Sequence, residues 1–199
     1  MRIIKLGILL VNIFLLSGCL SPVSTDRNCT YFIKCIPHCI PQKKPHPLTL
    51  LVLPSETQPA YNTTQIAYSL RPFQIAYFSR NQWAETPSQM LLPLMVQTLQ
   101  CTHYFHAVVT PPFMGRYNYL LNTQIITLQQ NFYRCPHVVE LNARVQLSRS
   151  DTNRIVATRQ FCIIVPIPCK TPYCGVMATN RAASIFLSEL AKFTVQHAN

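Results

Sequence analysis

Cysteine is the residue type in this chain with the greatest capacity for covalent chemistry. The sequence has nine cysteines in 199 residues. Eight of the nine follow the N-terminal apolar segment: Cys29, Cys35, Cys39, Cys101, Cys135, Cys162, Cys169 and Cys174. This even number predicts that the eight pair as disulfides if the chain is in an oxidising compartment, although the possible pairings are too numerous for the sequence to choose among them.

Two local disulfides are predicted from spacing. Cys169 and Cys174 enclose a short loop around Pro172, which a bridge can close. The second disulfide is expected within the group Cys29, Cys35 and Cys39. A metal site built from that group and His38 is the alternative. Disulfides are favoured because the spacing does not repeat a zinc-type CxxC pair and the segment is rich in proline.

The first cysteine, Cys19, has a different context. A cationic start, with Arg2 and Lys5, precedes an apolar run over residues 6–16. That run is shorter than the about 20 residues needed to cross a bilayer, and it fits the core of a secretory signal. It ends in Leu-Ser-Gly-Cys at residues 16–19, which resembles the bacterial lipobox.

The lipobox resemblance implies a lipid anchor. A diacylglycerol thioether would form on Cys19, cleavage would follow Gly18, and the new amine would be acylated. Two or three acyl chains hold a protein firmly where one is marginal. Leu20, in place of an aspartate, implies the periplasmic face of the outer membrane. An uncleaved helix with an incidental cysteine is the alternative, and no other cofactor is expected.

Catalytic motifs are scarce. The chain has four glycines, none in a phosphate-loop pattern, and it contains neither GxSxG nor HExxH. His103 and His106 would face opposite sides of a strand, which favours surface or packing roles over metal binding. The acidic residues are isolated from one another. The sequence therefore predicts a protein that is not an enzyme.

The net charge is strongly basic. It is +11 for the whole chain and falls to about +9 when Arg2 and Lys5 leave with the signal. Such a balance suggests acidic partners, but the basic residues are scattered and the chain is exported, which argues against nucleic acid. General solubility and a patch that faces lipid or a partner both remain open.

Three regions follow from composition. Residues 1–18 are the predicted signal peptide, 19–47 a proline- and cysteine-rich tether, and 48–199 the domain. Proline-rich linkers are extended and semi-rigid. Within the domain, the pattern predicts seven strands, at 48–53, 65–70, 73–78, 104–110, 119–128, 138–148 and 155–165.

Two helices complete the predicted domain. Thr86-Pro87-Ser88-Gln89 is a helix start with a capping box, although Pro93 predicts a kink or a late start. The second helix is predicted over 176–196. Alternation over 138–148 indicates a sheet with one covered face, which the helices would cover. The fold class is α+β: a mostly antiparallel sheet with two principal helices packed on one face.

One stretch asks for more than packing. The only tryptophan, Trp83, stands between Arg80 and Glu85 at the turn into the first helix. A structural corner would bury Trp83, pair Arg80 with Glu85 and cap the helix with Thr86. A partner-binding role for Arg80, Trp83 and Glu85 is the alternative, and both can hold.

This corner resembles the ABC-type transport auxiliary lipoproteins, the family of the lipoprotein component of Pqi-type systems. The residues that carry the resemblance are Ile66, Tyr68, Ile75, Tyr77, Arg80, Trp83, Ala84, Glu85 and Pro87, and, in the last helix, Asn180, Ala183, Leu187, Leu190 and Ala191. The later strand pair also fits. Coverage runs from about Leu48 to the end, and the tether departs from the pattern.

The resemblance implies a non-catalytic lipoprotein that works with an MCE-domain protein, in some systems with an ABC permease, in lipid transport between membranes. It also allows a homo-oligomeric ring. Two other classes stay open: a lipoprotein that activates or scaffolds a cell-wall or secretion machine, and a periplasmic enzyme.

Overall fold

The computed structural model describes residues 28–37 and 42–198. Within these ranges the strands are β1 (Cys29–Tyr31), β2 (His46–Val52), β3 (Glu56–Thr57), β4 (Gln65–Ser69), β5 (Ala76–Trp83), β6 (Phe105–Val109), β7 (Tyr119–Asn131), β8 (Val138–Arg149) and β9 (Ile155–Pro166). The helices are α1 (Pro87–Gln100), α2 (Pro172–His197) and a 3₁₀ turn (Pro59–Tyr61). The predicted signal peptide, Cys19, His38 and Cys39 lie outside the described residues.

The longest strand, β7, organises the sheet. One of its edges pairs with β8, which pairs in turn with β9, and both pairings are antiparallel. Its other edge pairs with β2, β3 and β4 in succession, all parallel to it. β6 extends the sheet beyond β2, and β5 and β1 extend it beyond β4.

The α+β class is confirmed, but the sheet is mixed rather than mostly antiparallel. β1 with β5, β2 with β6, and β2, β3 and β4 with β7 are all parallel pairs. Parallel partners need crossover connections. Local alternation of polar and apolar residues cannot show such a pairing, because it marks the face of a strand and not its neighbour.

The predicted hairpin and its covered face are confirmed. β8 turns into β9, and the inward side chains of β8 are almost fully buried, from Val139 through Leu147. α2 packs over β8 and β9 with Phe186, Leu187 and Leu190, each 0% exposed. α1 lies beside α2 and shares its hydrophobic core. No helix among the described residues combines the length and apolar character needed to span a bilayer.

Some element boundaries differ from prediction. β5 begins three residues later than predicted and continues through Trp83, so the tryptophan ends a strand. α2 begins at Pro172 rather than at 176, because Thr171 caps it by accepting a hydrogen bond from Cys174 N. α1 begins at Pro87 and holds Pro93 inside it, so the late start is wrong.

The domain also begins earlier than the sequence indicated. Residues 28–37 belong to the predicted tether, yet β1 pairs with β5 and Ile33 is only 3% exposed in the core. β2 likewise starts at His46, inside the predicted tether. A strand of three residues is too short to show a two-residue period, so the proline- and cysteine-rich composition of the segment predicted a tether there instead of a strand.

Candidate partner-binding surfaces

Trp83 is a structural residue in this fold. Its side chain is 3% exposed and belongs to the hydrophobic core. Its backbone N–H donates to Thr64 O at 2.7 Å, and the next residue, Ala84, donates to Tyr31 O at 2.8 Å. Trp83 therefore contributes packing and strand continuity, and it offers no free surface to a partner.

The helix start next to Trp83 has the predicted capping box. Thr86 N donates to Gln89 Oε1 at 3.0 Å, and Gln89 N donates to Thr86 Oγ1 at 3.5 Å. These bonds satisfy backbone donors that the first turn would otherwise leave unpaired. Arg80 and Glu85 are exposed beside this turn. Their mutual ion pair stays a prediction.

β1 lies against the same corner. Tyr31 OH donates to Asn81 Oδ1 at 3.2 Å across the β1–β5 pair. Burial raises the pKa of Tyr31, and its hydrogen bond with Cys29 adds to the rise. The phenol therefore stays protonated as a donor through the physiological range, because the unshifted value is already about 10.

Asn180 fixes the segment that follows β1. Its Oδ1 accepts from Lys34 N at 2.8 Å and from Cys35 N at 3.3 Å, and its Nδ2 donates to Phe32 O at 3.0 Å. One side chain on α2 thus satisfies three backbone groups of residues 32–35. The family resemblance marked Asn180, and the structure gives it this role.

The cysteines divide into two groups. The predicted Cys169–Cys174 disulfide is present, with a Cα–Cα distance of 5.6 Å. Cys101, Cys135 and Cys162 form no disulfide, which corrects the expectation that all eight pair. Cys162 is paired with Asn142, which lies four residues after the start of β8 at Val138. Cys135 lies before that start, in the β7–β8 connection. Those positions are more than about 13 Å apart, far beyond disulfide reach.

The N-terminal cysteine group is only partly described. Cys35 is exposed, and Cys39 and His38 fall outside the described residues. The predicted pairing within Cys29, Cys35 and Cys39 therefore stays a prediction, as does the metal alternative. Among residues 28–37 and 42–198, no three His, Cys, Asp or Glu side chains are grouped to hold a metal ion. His103 and His106 are both exposed.

Two acidic side chains in the described part, Glu140 and Glu189, make structural contacts. Glu140 accepts from Gln129 and Asn131 at 3.2 Å each and lies 3.3 Å from Arg134 Nη1. Glu189 pairs with Lys192 at 2.8 Å along α2. Both carboxylates therefore have basic or amide partners, an arrangement that suits a structural role.

Sequence reasoning missed an apolar stripe on the outside of α2. Tyr173, Met177 and Ile185 are 56%, 43% and 40% exposed. They belong to one row of residues spaced by four along the helix, a row whose remaining member is the exposed Arg181. Phe32, 49% exposed, comes from the segment that Asn180 holds beside this face. The signal was the four-residue spacing, but the predicted helix began after Tyr173. These four residues are called the α2 stripe below.

A family model described as "ABC-type transport auxiliary lipoprotein component" matches residues 38–191. The chain belongs to this family. The match spans β2 through most of α2, so it covers both helices and the whole β7–β8–β9 layer. A search of curated proteins found no match.

Solved structures show that the fold is shared. A Xanthomonas campestris protein of the DUF330 family superposes with a TM-score of 0.74 at 18% identity, over 85% of this chain and 94% of that chain. An uncharacterized protein gives 0.70 at 13% identity, over 84% and 99%. A hypothetical protein from Chlamydia trachomatis gives 0.54 at 6% identity, over 77% and 98%. At these identities the likeness concerns the fold alone.

Proposed function

We propose that this protein is an outer-membrane lipoprotein, anchored through Cys19, that docks a periplasmic MCE-domain protein to that membrane. It would act as a non-catalytic part of an ABC/MCE-type lipid transport system. The observation that carries the proposal is the family match over residues 38–191. An ABC permease would complete such a system, and several copies of this chain could surround the partner as a ring.

The anchor is supported by the N-terminal sequence. Arg2 and Lys5, the apolar run and the lipobox at residues 16–19 stand in the order that lipoprotein export requires. Mass spectrometry of the mature N-terminus tests it directly. We expect a chain that starts at Cys19 and carries diacylglycerol and an N-acyl group, and an unmodified Cys19 would remove the anchor.

The α2 stripe is the surface that we propose for the partner. Large apolar side chains on a rigid helix are suited to the buried centre of a protein interface. Two basic residues accompany it: Lys34 Nζ lies 4.6 Å from the Phe32 ring, and Arg181 stands between Met177 and Ile185 along the helix. The stripe is also fixed in place, because Asn180 ties residues 32–35 to α2.

Site-specific crosslinking in native membranes tests this docking. A photo-reactive residue would replace Met177 or Ile185, and Thr158 on the opposite, outer face of β9 would be the matched control. Capture of an MCE-domain protein from the stripe positions and not from Thr158 is the expected result. Capture of a penicillin-binding protein or a secretin would instead favour the cell-wall or secretion alternative.

A further inference from the structure

The β4–β5 connection carries an exposed apolar tip. Leu70 and Ile75 are 50% and 39% exposed, and Phe73 is fully exposed. Arg71, also exposed, lies between them in sequence. Residues 70–75 are called the hairpin tip below. Three large apolar side chains on one six-residue connection are more than the scattered exposure normal for a surface.

The tip is held in shape rather than left loose. Ser69, buried at its base, places Oγ 2.7 Å from both Arg71 O and Gln74 O, and its single proton can be donated to either. Phe73 has φ of 62°, the left-handed region that a bulky residue seldom occupies. The loop therefore projects a phenyl ring into solvent in a backbone conformation that glycine would adopt more easily.

Basic residues surround the tip. Lys170 joins Leu70, Tyr68, Phe78 and Phe132 around a shallow cavity of about 160 Å³. Arg134, in the β7–β8 connection, lies at the same end of the sheet, because Phe132 N donates to Ser69 O. Among the described acidic residues, only Glu140 is near this end, and it already pairs with Arg134. The end is thus apolar and cationic.

The direction of β1 relates this end to the N-terminus. β1 is parallel to β5, with Cys29 beside Asn81, so the N-terminal end of β1 is directed along β5 toward Ala76 and the tip. Asn81 is five residues from Ala76, about 17 Å along the strand. The nine residue steps from Cys19 to Asn28 can span at most about 30 Å. An anchor at Cys19 can therefore reach the plane of the tip.

We propose that the hairpin tip is a second membrane contact, which inserts Phe73, Leu70 and Ile75 among anionic phospholipids while Arg71 and Lys170 meet their phosphates. This proposal rests on the proposed anchor at Cys19. Apolar side chains rimmed by arginine and lysine are suited to the boundary between headgroups and acyl chains. With the anchor, the contact would fix the orientation of the domain on the membrane.

Fluorescence quenching tests the contact in the full lipoprotein. Phe73→Trp would be reconstituted into vesicles of phosphatidylglycerol with brominated acyl chains. Met114→Trp is the matched control, because Met114 is 98% exposed in the β6–β7 connection at the other end of β7. β7 has 13 residues, so the two positions lie roughly 40 Å apart. The buried Trp83 is a common background that the parent protein measures.

The expected result is strong quenching and a blue shift at position 73, with neither at position 114. Phosphatidylcholine vesicles, high salt, or removal of charge by Arg71→Gln and Lys170→Gln should each weaken the quenching. At low salt the ratio of inserted to free tip should fall roughly fivefold for each charge removed.

Equal quenching at both positions, or none at position 73, would overturn the proposal. So would protection of position 73 only when a second copy of the chain or the protein partner is present. The mass of the N-terminus, measured on the same sample, separates this proposal from the anchor. If Cys19 carries no lipid, the anchor fails, and quenching after the protein is mixed with added anionic vesicles still reports on the tip.

Discussion

The two ends of β5 carry aromatic residues in opposite environments. At one end Trp83 is 3% exposed and contacts the core, whereas Phe73, just before the other end, is fully exposed. Both have charged neighbours in sequence, Arg80 and Glu85 near the first and Arg71 near the second. The difference shows that an aromatic residue flanked by charges marks a structural corner in one place and a candidate binding element in the other.

The backbone explains the difference. Trp83 is the last residue of β5, and the backbone there is bonded on both sides: Trp83 N donates to Thr64 O, and Ala84 N donates to Tyr31 O. These bonds fix the backbone in the position in which the Trp83 side chain lies in the core. Phe73 lies in the β4–β5 connection, whose two sides are joined by the hydrogen bonds of Ser69 Oγ with Arg71 O and Gln74 O. Its ring points away from the core and stays in solvent. The corner therefore contributes to stability, and the tip is available for contact.

Truncation of the corner should have the largest effect. Trp83→Ala is expected to lower the free energy of unfolding by about 3–5 kcal/mol, since it leaves a large cavity in the core. Chemical denaturation followed by circular dichroism measures this. Phe73→Ala is the matched control and should change it by less than about 0.5 kcal/mol. Equal losses in the two variants would contradict the comparison.

Removing the Asn180 side chain, which holds the segment after β1 against α2, should cause the next largest loss of stability. Asn180→Ala removes three hydrogen bonds, to Lys34 N, Cys35 N and Phe32 O. Each bond contributes about 0.5–1.5 kcal/mol net, and water can replace part of this because the groups are exposed, so the total loss should be about 1–3 kcal/mol. Limited proteolysis should then cleave residues 32–37 faster. Arg181→Ala, on the same helix and exposed, is the control. Unchanged cleavage in Asn180→Ala would show that β1 is held by its strand pairing alone.

The capping box should have a smaller effect. Thr86→Ala removes the side-chain acceptor of Gln89 N and should lower the free energy of unfolding by about 1 kcal/mol. Thr152→Ala, in the exposed β8–β9 turn, is the control. Denaturation midpoints at constant slope would give the difference. A loss as large as that of Trp83→Ala would mean that the helix start, and not the tryptophan, holds the corner.

The sequence predicted the fold best where a regular pattern of side chains reflects burial in the core or a helix cap. The alternation over β8 and the capping box of α1 predicted elements that the structure contains, because burial imposes a two-residue period and a cap needs particular side chains. The parallel partners of β7 and the strand β1 could not be predicted in this way. Strand order depends on crossovers, and β1 is three residues long in a segment dominated by proline and cysteine.

The surfaces were less predictable than the core. The sequence marked the corner residues Arg80, Trp83 and Glu85, and the tryptophan proved to be buried. It did not mark the hairpin tip, whose exposure depends on Ser69 and on the positive φ of Phe73, or the α2 stripe, whose first member preceded the predicted helix. Exposed apolar residues have no obligatory period, so only the assembled fold distinguishes them from the core.

The smallest expected change in stability is also the sharpest test of the tip. Phe73→Gly relieves the left-handed backbone but frees the unfolded chain, and the two effects oppose each other, so the free energy of unfolding should change by less than about 0.5 kcal/mol. Flotation of the lipidated variant would be unaffected, because the anchor alone holds it. A spin label at residue 75, read by oxygen and nickel accessibility in anionic vesicles, should nevertheless move from the acyl region to water. A label that stays in the acyl region without the phenyl ring would show that Phe73 does not drive insertion.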